Sequence, residues 1–391
     1  MYPIKELKIA HIADCHLRNA QYGSSARGAR FLEGIKSAID AAKEAEATLI
    51  LCSGDLLDSN NPGPAVINWQ LADLHGYLHD REISMIVSVG NHDNCTPSWL
   101  TPYENTDDVE FLEPGLHLLR DFAITYQPDW CPFGLNILSI DYCDKFEFLR
   151  KSDPSMHHNF QQDIIMWHGE IKEFCGFPKE DAIEINEIPQ GICKLLAMGH
   201  IHVHKSTQRS SDGMVIAYPG STEMLSEDED ENKYLYLYTF KSDGNGGSEL
   251  ASIESVPFKT QPVIRRTVRT DNELQEVVER IKEDPDVLAY IRYDKSLHDA
   301  VPRLHEVADE NKTVLRLTPL MPDRFNVHTM SREAVVRGPA AFFEENAADL
   351  IHDEETRLRV SSLCTQLLTP GNDRRESINK FCDARLGTTS L

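Results

Sequence analysis

The chain has 391 residues and a net charge of −24, from 63 acidic and 39 basic side chains. So acidic a chain argues against a nucleic-acid binder that relies on its own lysine and arginine residues. A single cleft, a bound metal or a basic partner could still supply positive charge. The length can bury more than one core, so we expect a large domain followed by one or two smaller modules.

Cysteine usage and hydropathy point to the cytoplasm. Nine cysteines without a CxxC pair argue against a disulfide framework or a cysteine-ligated zinc site. No apolar run approaches the length of a membrane span, and Lys5, Glu6 and Lys8 interrupt the N-terminus where a signal peptide would be apolar. We therefore expect a cytoplasmic protein with no membrane partner.

The first hundred residues repeat an apolar strand, a polar loop and an amphipathic helix, which is typical of an α/β fold. We predict strands at Leu7–Ala13, Thr48–Ser53 and Ile83–Val89. Apolar residues recur at helical spacing between them: Phe31, Leu32, Ile35, Ala38, Ile39 and Ala42 in one helix, and Trp69, Leu71, Leu74 and Leu78 in another.

Strand patterns dominate the next part of the chain. The glycine-rich stretch at residues 243–247 predicts a hairpin between the last two strands. Many strands with flanking helices indicate two sheets packed face to face. The predicted strands are Leu135–Ile140, Ile164–Trp167, Lys194–Met198, Met214–Tyr218, Tyr234–Phe240 and Leu250–Val256.

The pattern changes near residue 262, where a compact α/β unit begins. It has predicted helices at Asn272–Lys282 and Val301–Asn311, and predicted strands at Val287–Tyr293 and Thr313–Leu317. Beyond Pro319 the chain is mainly helical and charged. We predict three domains: residues 1–260, 261–322 and 323–391.

An acidic run, Glu227–Glu231, precedes the strand that begins at Tyr234. We expect it to be a solvated turn, since charge runs are usually exposed.

Five short motifs, all rich in metal-ligand residue types, follow predicted strands. Parallel strands place their carboxyl ends at one edge of a sheet, so these residues should converge in space. The motifs are Asp14-Cys15-His16, Gly54-Asp55, Gly90-Asn91-His92-Asp93, Trp167-His168-Gly169 and Gly199-His200-Ile201-His202.

These side chains offer oxygen and imidazole donors without thiolates. Such donors suit Mn²⁺, Mg²⁺, Fe²⁺ or Zn²⁺, and we favour manganese. Two adjacent ions need a bridging carboxylate, for which Asp55 is the candidate, and a water between them would attack phosphorus. We expect His92 to assist the leaving oxygen, with Asp93 orienting it.

The five motifs resemble the signature of calcineurin-like metallophosphoesterases: D-x-H, G-D, G-N-H-D/E, H and G-H-x-H. The resemblance spans residues 8–222 and implies a two-sheet sandwich with two divalent metal ions. It also implies the transition-state role for His92. It further implies that Asp14, His16, Asp55 and His202 hold one metal, and that Asp55, Asn91, His168 and His200 hold the other.

Within that superfamily the chain is similar to the SbcD group, the nuclease subunits of SbcCD DNA repair complexes. The segments that carry this similarity are residues 54–64, 218–221 with 233–237, and 260–262. It reaches to about residue 320 and implies a capping domain. The chain departs from the group at Asp58, where some relatives have a histidine, and at Arg18, where a glycine is common.

The resemblance implies a Mn²⁺-dependent DNA exonuclease or endonuclease subunit that works with an SbcC-type ATPase in DNA end processing, repair or recombination. The sequence has no GxxxxGK[ST] loop, so ATP hydrolysis would come from that partner. The helical tail at residues 323–391 is the expected docking segment.

Two other functions remain open, as does the pairing of two copies into a homodimer. One is a metallophosphoesterase acting on nucleotides or phosphoproteins, which would suit the acidic charge. The other is a non-catalytic scaffold of the same fold, against which the complete set of ligand residues argues.

Overall fold

The computed structural model describes residues 6–95, 98–104, 112–153, 162–176, 178–180 and 182–320. The helices are α1 (Ser25–Glu44), α2 (Leu71–Asp80), α3 (Lys145–Lys151), α4 (Asp271–Glu283) and α5 (Val301–Glu310). The strands of the first half are β1 (Glu6–Ile12), β2 (Leu49–Cys52), β3 (Ser84–Val87), β4 (Gly115–Leu118), β5 (Phe122–Tyr126), β6 (Leu135–Ile140) and β7 (Ile164–His168). The later strands are β8 (Leu195–Gly199), β9 (Lys205–Gln208), β10 (Val215–Tyr218), β11 (Lys233–Ser242), β12 (Ser248–Phe258), β13 (Val263–Val268), β14 (Leu288–Tyr293) and β15 (Val314–Pro319).

Two six-stranded sheets form the main body. Their strand orders are β12-β11-β1-β2-β3-β4 and β5-β6-β7-β8-β10-β9. Strands β1 to β4 are parallel in the first sheet, as are β6, β7, β8 and β10 in the second, while antiparallel strands lie at the edges. The predicted α/β fold of two sheets flanked by helices is confirmed.

Alternate residues of a central strand belong to different apolar layers. Leu49 and Leu51 of β2 pack between the two sheets, whereas Ile50 and Cys52 pack against α1 and α2. Burying one such leucine contributes about 1.5–3 kcal/mol. The carboxyl ends of the strands are thereby held at fixed positions for the residues that follow.

Helix α1 begins after a serine that caps its first turn. The side chain of Ser24 accepts a hydrogen bond from the backbone N–H of Arg27, which satisfies one of the free donors of the first turn. The predicted apolar positions of this helix are all buried against the first sheet.

The second helix differs from its prediction at its start. A π-helical turn, Val66–Gln70, precedes α2 and shifts the register of the side chains. Trp69, predicted to belong to the apolar face, is therefore 75% exposed, whereas Leu71, Leu74 and Leu78 are buried as expected.

Four strands have no counterpart in the sequence prediction. Strands β4 and β5 are short, and β9 is exposed along its whole length, so its residues carry no apolar alternation. Strand β13 has two consecutive arginines, Arg265 and Arg266, which hide its period-two pattern.

The third sheet, β13-β14-β15, and helices α4 and α5 form a small α/β unit, here called the small domain (residues 263–319). Helix α4 begins with a capping box in which Thr270 and Glu273 bond each other's backbone N–H groups. The described residues up to Thr318 form one compact unit, and a division of the chain falls at Pro319. The predicted boundary at residue 261 stays a prediction, and the predicted helical tail lies outside the described residues.

None of the helices in the described part of the chain combines the length and the apolar character that crossing a bilayer requires.

Candidate metal centre

The predicted motif residues lie at the carboxyl ends of parallel strands, at an edge where the two sheets meet. Strand β1 pairs with β2 in the first sheet, and β7 pairs with β8 in the second. By strand, the residues are Asp14 and His16 after β1, Asp55 after β2, Asn91, His92 and Asp93 after β3, His168 at the end of β7, and His200 and His202 after β8.

Three of these residues form what we call the Asn91 group: Asn91, His168 and His200. The side-chain oxygen of Asn91 lies 3.0 Å from Nε2 of His168 and 3.1 Å from Nδ1 of His200. The two imidazole nitrogens are themselves 3.3 Å apart. Three potential ligand atoms therefore converge on one point.

Three others form the Asp14 group: Asp14, His16 and His202. Nε2 of His202 lies 3.7 Å from Oδ1 of Asp14, and the rings of His16 and His202 have centroids 5.2 Å apart. One ligand atom from each of the three residues falls within 4.8 Å of the others.

The carboxylate of Asp55 faces both groups. Its Oδ2 lies 3.3 Å from Nε2 of His168 in the Asn91 group and 3.7 Å from Nε2 of His16 in the Asp14 group. Its other oxygen accepts a hydrogen bond of 2.9 Å from the backbone N–H of His92. This placement is the one that a bridging carboxylate requires.

The backbone is strained at four of these residues. Asp14, His16, Asp55 and His200 have φ values of 51°, 49°, 52° and 97°, which non-glycine residues rarely adopt. The strain is held in place because the N–H of Asp14 bonds the carbonyl of Gly54, and the N–H of His16 bonds that of Asp55. Such strain concentrates at functional sites.

Two glycines permit the close approach of the strands. A Cβ at Gly90 would lie 2.1 Å from Oδ1 of Asp55, and one at Gly199 would lie 1.9 Å from the carbonyl oxygen of Ser53. No larger residue fits at either position without moving the carboxylate or the backbone beside it.

The donor set fits metal ions. Both ring nitrogens of His16 are buried and have no hydrogen-bond partner within the residues that the structure describes, which is costly for an imidazole unless a ligand satisfies them. The sulfur atoms of Cys15 and Cys52 lie 3.8 Å apart in the apolar layer against α1, away from the ligand atoms. Oxygen and imidazole donors alone therefore face the site.

The side chains perturb one another's ionisation. Burial opposes charge on His168, but its contacts with Asp55 and Asp14 raise its pKa to about 9. Burial lowers the pKa of His200 to about 4, and the neighbouring His168 contributes to that shift. Burial also opposes charge on Asp55, yet the hydrogen bond and charge of His168 hold the pKa of this carboxyl below its usual range.

His92 lies beside these ligand atoms and remains accessible. Its ring is 41% exposed, with Nε2 3.9 Å from Oδ2 of Asp55. Nδ1 lies 2.7 Å from the backbone carbonyl of Asp58, to which it can donate, and this contact fixes the ring. His92 thus has one nitrogen held by the protein and one directed to the site.

The carboxylate of Asp93 is engaged by the backbone of two loops. Its carboxylate accepts hydrogen bonds from the backbone N–H groups of Leu56, Leu57 and Gly90, so it joins the loops after β2 and β3. Burial raises its pKa to about 6. The ring of His92 is itself held by the carbonyl of Asp58. The role predicted for Asp93, to orient His92, stays a prediction.

Glu229 is a site residue that the sequence prediction missed. Its side chain is only 7% exposed, and Oε1 lies 3.0 Å from Nδ1 of His202. Burial opposes its ionisation, but His202 and Lys233 lower its pKa to about 2. The prediction that the acidic run is a solvated turn is wrong at this residue, because Lys233 and His202 provide charged partners inside the fold.

Two basic side chains lie at the rim. Nζ of Lys179 is 3.4 Å from Nε2 of His200, and this side chain is more than half exposed. The guanidinium of Arg18 pairs with Asp58 and lies over the ring of Phe31 at 4.4 Å. No sequence motif contains Lys179, so only the folded structure reveals its position beside the ligand residues.

His204, the third histidine of the alternation after β8, lies apart from the site. Its Nδ1 contacts the carbonyl of Pro219 at 3.1 Å, and its Nε2 contacts Oγ of Ser255 at 2.7 Å. Both nitrogens are thus engaged within the sandwich.

Residues 7–204, just over half of the chain, match the sequence profile of the calcineurin-like phosphoesterase family. The chain belongs to this family. All the residues of the Asp14 and Asn91 groups fall inside the matched region, as does Asp55.

Several relatives carry the name DNA double-strand break repair protein Mre11. The one from Archaeoglobus fulgidus is 28% identical over 230 residues, covering 56% of this chain and 50% of the relative. The one from Thermoplasma acidophilum is 25% identical over 362 residues, covering 87% and 91%. The chain spans about half the length of the relatives from Archaeoglobus fulgidus and Saccharolobus solfataricus.

A crystal structure of a dimetal phosphatase from Danio rerio aligns with 65% of this chain and 99% of its own, at 12% identity and a TM-score of 0.39.

Proposed function

We propose that this chain is a dinuclear-metal phosphodiesterase that cuts DNA, acting as a nuclease subunit beside an SbcC-type ATPase. The observation that carries the proposal is the convergence of six oxygen and imidazole ligand residues around Asp55, with both nitrogens of His16 buried and without a hydrogen-bond partner among the described residues. A site of this kind suits phosphate esters because two cations can neutralise the charge on a phosphoryl group.

In this proposal the Asp14 group and Asp55 hold one divalent ion, and the Asn91 group and Asp55 hold the other. When bound, the ions activate a water for attack on phosphorus and offset the charge that develops on its oxygens. The donor types favour manganese, with magnesium, iron or zinc as alternatives.

His92 would then protonate or hydrogen-bond the leaving oxygen. Its Nδ1 contact with the carbonyl of Asp58 sets the ring orientation, and its exposed Nε2 faces the ligand atoms. Lys179, exposed beside His200, would contact a non-reacting phosphate oxygen of the substrate. Asp93 would support the loop that carries His92, since its carboxylate accepts hydrogen bonds from the backbone N–H groups of Leu56 and Gly90.

DNA as substrate is supported by the name that the relatives share and by the small domain that follows the sandwich. A net charge of −24 implies weak binding of duplex DNA by the chain alone, so the complex with the ATPase would provide most of the affinity for DNA. The docking segment that we propose, within residues 323–391, lies outside the described residues.

The same acidic charge favours a second candidate, a phosphoesterase acting on nucleotides or phosphoproteins. One purified preparation can separate the candidates. We expect Mn²⁺-dependent cleavage of both double-stranded DNA and bis(p-nitrophenyl) phosphate, with both activities lost in Asp55→Asn. Cleavage of the small ester without any cleavage of DNA, even with the ATPase present, would favour the second candidate, and absence of metal binding would favour a scaffold.

The partner proposal has its own test. Deletion of residues 331–391 should abolish co-purification with the SbcC-type ATPase while preserving hydrolysis of the small phosphodiester. Normal ATPase binding by the truncated chain would refute the docking assignment. Pairing of two copies stays a prediction, which light scattering of the purified chain would test.

A further inference from the structure

The segment Glu223–Glu231 contacts both the metal centre and the small domain. At one end Met224 is fully buried, and at the other Glu229 reaches His202. This segment therefore links a residue of the Asp14 group to a part of the chain that contributes no ligand residue.

Glu229 is held in one orientation by several donors. Its Oε2 accepts hydrogen bonds from Ser221 at 2.7 Å, from Lys233 at 2.8 Å and from the backbone N–H of Leu225 at 3.2 Å. The remaining oxygen, Oε1, accepts a hydrogen bond from Nδ1 of His202 at 3.0 Å. A carboxylate fixed in this way selects the tautomer of His202 whose Nε2 can bind a metal.

The small domain also packs against this segment through apolar side chains. Met224 packs into a buried cluster of this domain that includes Leu288, Tyr290 and Val314. Because Met224 has no exposed surface, the start of the segment cannot shift without disturbing that cluster.

Arginines of the small domain hold the rest of the segment. The guanidinium of Arg265 donates to the backbone carbonyl of Glu229 and lies 3.7 Å from Glu231. Arg292 pairs with Glu227 at 2.8 Å. Both flanks of Glu229 are thus tied to strands of the third sheet.

We propose that Glu229 is a positioning residue for His202, and that the small domain sets how firmly the Asp14 group holds its metal through Arg265 and Arg292. The inference rests on the proposed function, since it concerns a metal held by that group. In the Asn91 group, by contrast, Nδ1 of His168 is held by the carbonyl of Ser53 within the sandwich, and among the described residues we find no contact of the small domain with that carbonyl.

Mn²⁺ titration of the full chain by calorimetry tests the role of Glu229. We expect two sites in the unaltered protein and, in Glu229→Ala, an affinity loss of roughly 10- to 100-fold at one site only. Glu229→Gln keeps an acceptor for His202 and should recover part of that loss. Circular dichroism and thermal unfolding of each variant report whether it folds.

Variants of the two arginines test the coupling between the small domain and the Asp14 group. They keep Glu229, so the buried Lys233 retains its charged partner. Arg265→Gln combined with Arg292→Gln should weaken the same single site by roughly two- to fivefold, since both pairs are partly exposed. Arg280→Gln is the matched control, because the ion pairs of Arg280 within the described residues are with Glu283 and Asp284, at the end of its own helix. It should leave both affinities unchanged.

Three results would overturn the inference. Unchanged affinities in folded Glu229→Ala would remove its positioning role, and an equal loss at both sites would indicate a general structural effect. Unchanged affinities in the double arginine variant would remove the small domain from the argument. If the unaltered protein binds no Mn²⁺ at all, the proposed function fails first, and that result is distinct from the other three.

Discussion

The Asn91 group and the Asp14 group each combine two histidines with one oxygen donor, but the two groups are supported differently. His168 of the Asn91 group is fixed by the backbone carbonyl of Ser53, deep in the sandwich. His202 of the Asp14 group is fixed by Glu229, on a segment that the small domain holds. The first support is part of the sheet framework, whereas the second depends on a neighbouring domain. If the two groups hold metals as we propose, one metal position is tied to the sheet framework, and the other is coupled to the small domain.

A substitution at Asp55 should affect both groups alike, because the carboxylate of Asp55 faces both of them. We expect Asp55→Asn to lose both metal ions and to lower phosphodiester hydrolysis at least about 10³-fold, since several kcal/mol of transition-state stabilisation come from the ions. Metal content by mass spectrometry and turnover check this together. Retention of one ion at full occupancy would show that Asp55 serves a single group.

A substitution at His92 should lower the rate of hydrolysis without a loss of bound metal. Because His92 is not a member of either group, we expect His92→Ala to lower turnover roughly 10²- to 10⁴-fold with two ions still bound. His200→Ala is the matched variant within the Asn91 group and should lose one ion. If the two variants lose metal equally, the division between ligand and proton donor is wrong.

Asp55 and the residues of the two groups could be proposed from the sequence because their motifs end or follow strands whose apolar pattern is visible. Asp14 and Asp55 lie shortly after β1 and β2, His168 ends β7, and the order of the motifs carries the information. The supports could not be predicted in the same way. Glu229 lies in an acidic run, and only the placement of Lys233 and Ser221 beside it explains its burial.

Adjacency in the chain does not determine what a side chain contacts. Asp93 is the neighbour of His92 in the chain, but its carboxylate accepts hydrogen bonds from the backbone N–H groups of Leu57 and Gly90. Strand β9 has no apolar residue, since it lies exposed beside β10, and its pairing alone defines it. Periodicity reports burial, so it cannot detect an element that is exposed on every side.

Gly199 offers a way to disturb the Asn91 group alone. A Cβ at this position would lie 1.9 Å from the carbonyl of Ser53 and 2.7 Å from Nδ1 of His168, so both must move. We expect Gly199→Ala to reduce the free energy of unfolding by about 1–3 kcal/mol. It should also weaken one of two Mn²⁺ sites, as measured by calorimetry.

Gly76→Ala is the control for that variant, since an added Cβ there meets no atom within 4 Å. Gly76 lies on the exposed face of α2, so the substitution should stabilise the protein by about 0.5–1 kcal/mol and leave both metal affinities unchanged. A Gly199→Ala variant that behaves like this control would contradict the tight packing behind the Asn91 group.

The stability that the residues packed behind the Asn91 group give to the fold should depend on pH. His11 is buried there, with Nε2 2.9 Å from Oγ of Ser53 and Nδ1 2.9 Å from the hydroxyl of Tyr238. Burial lowers the pKa of His11 from 6.5 to about 3. The folded state therefore binds fewer protons than the unfolded state between these values, and stability must fall as the pH drops below 6.5.

At pH 5 this single group should cost about 2 kcal/mol of stability relative to neutral pH, because each unit of pKa difference corresponds to 1.36 kcal/mol. His11→Gln preserves a polar side chain but removes the titration. We expect the variant to be less stable than the unaltered protein at pH 7, yet to lose about 2 kcal/mol less between pH 7 and pH 5. Urea unfolding at the two pH values measures the difference, and equal losses in both proteins would show that His11 is not held neutral behind Ser53.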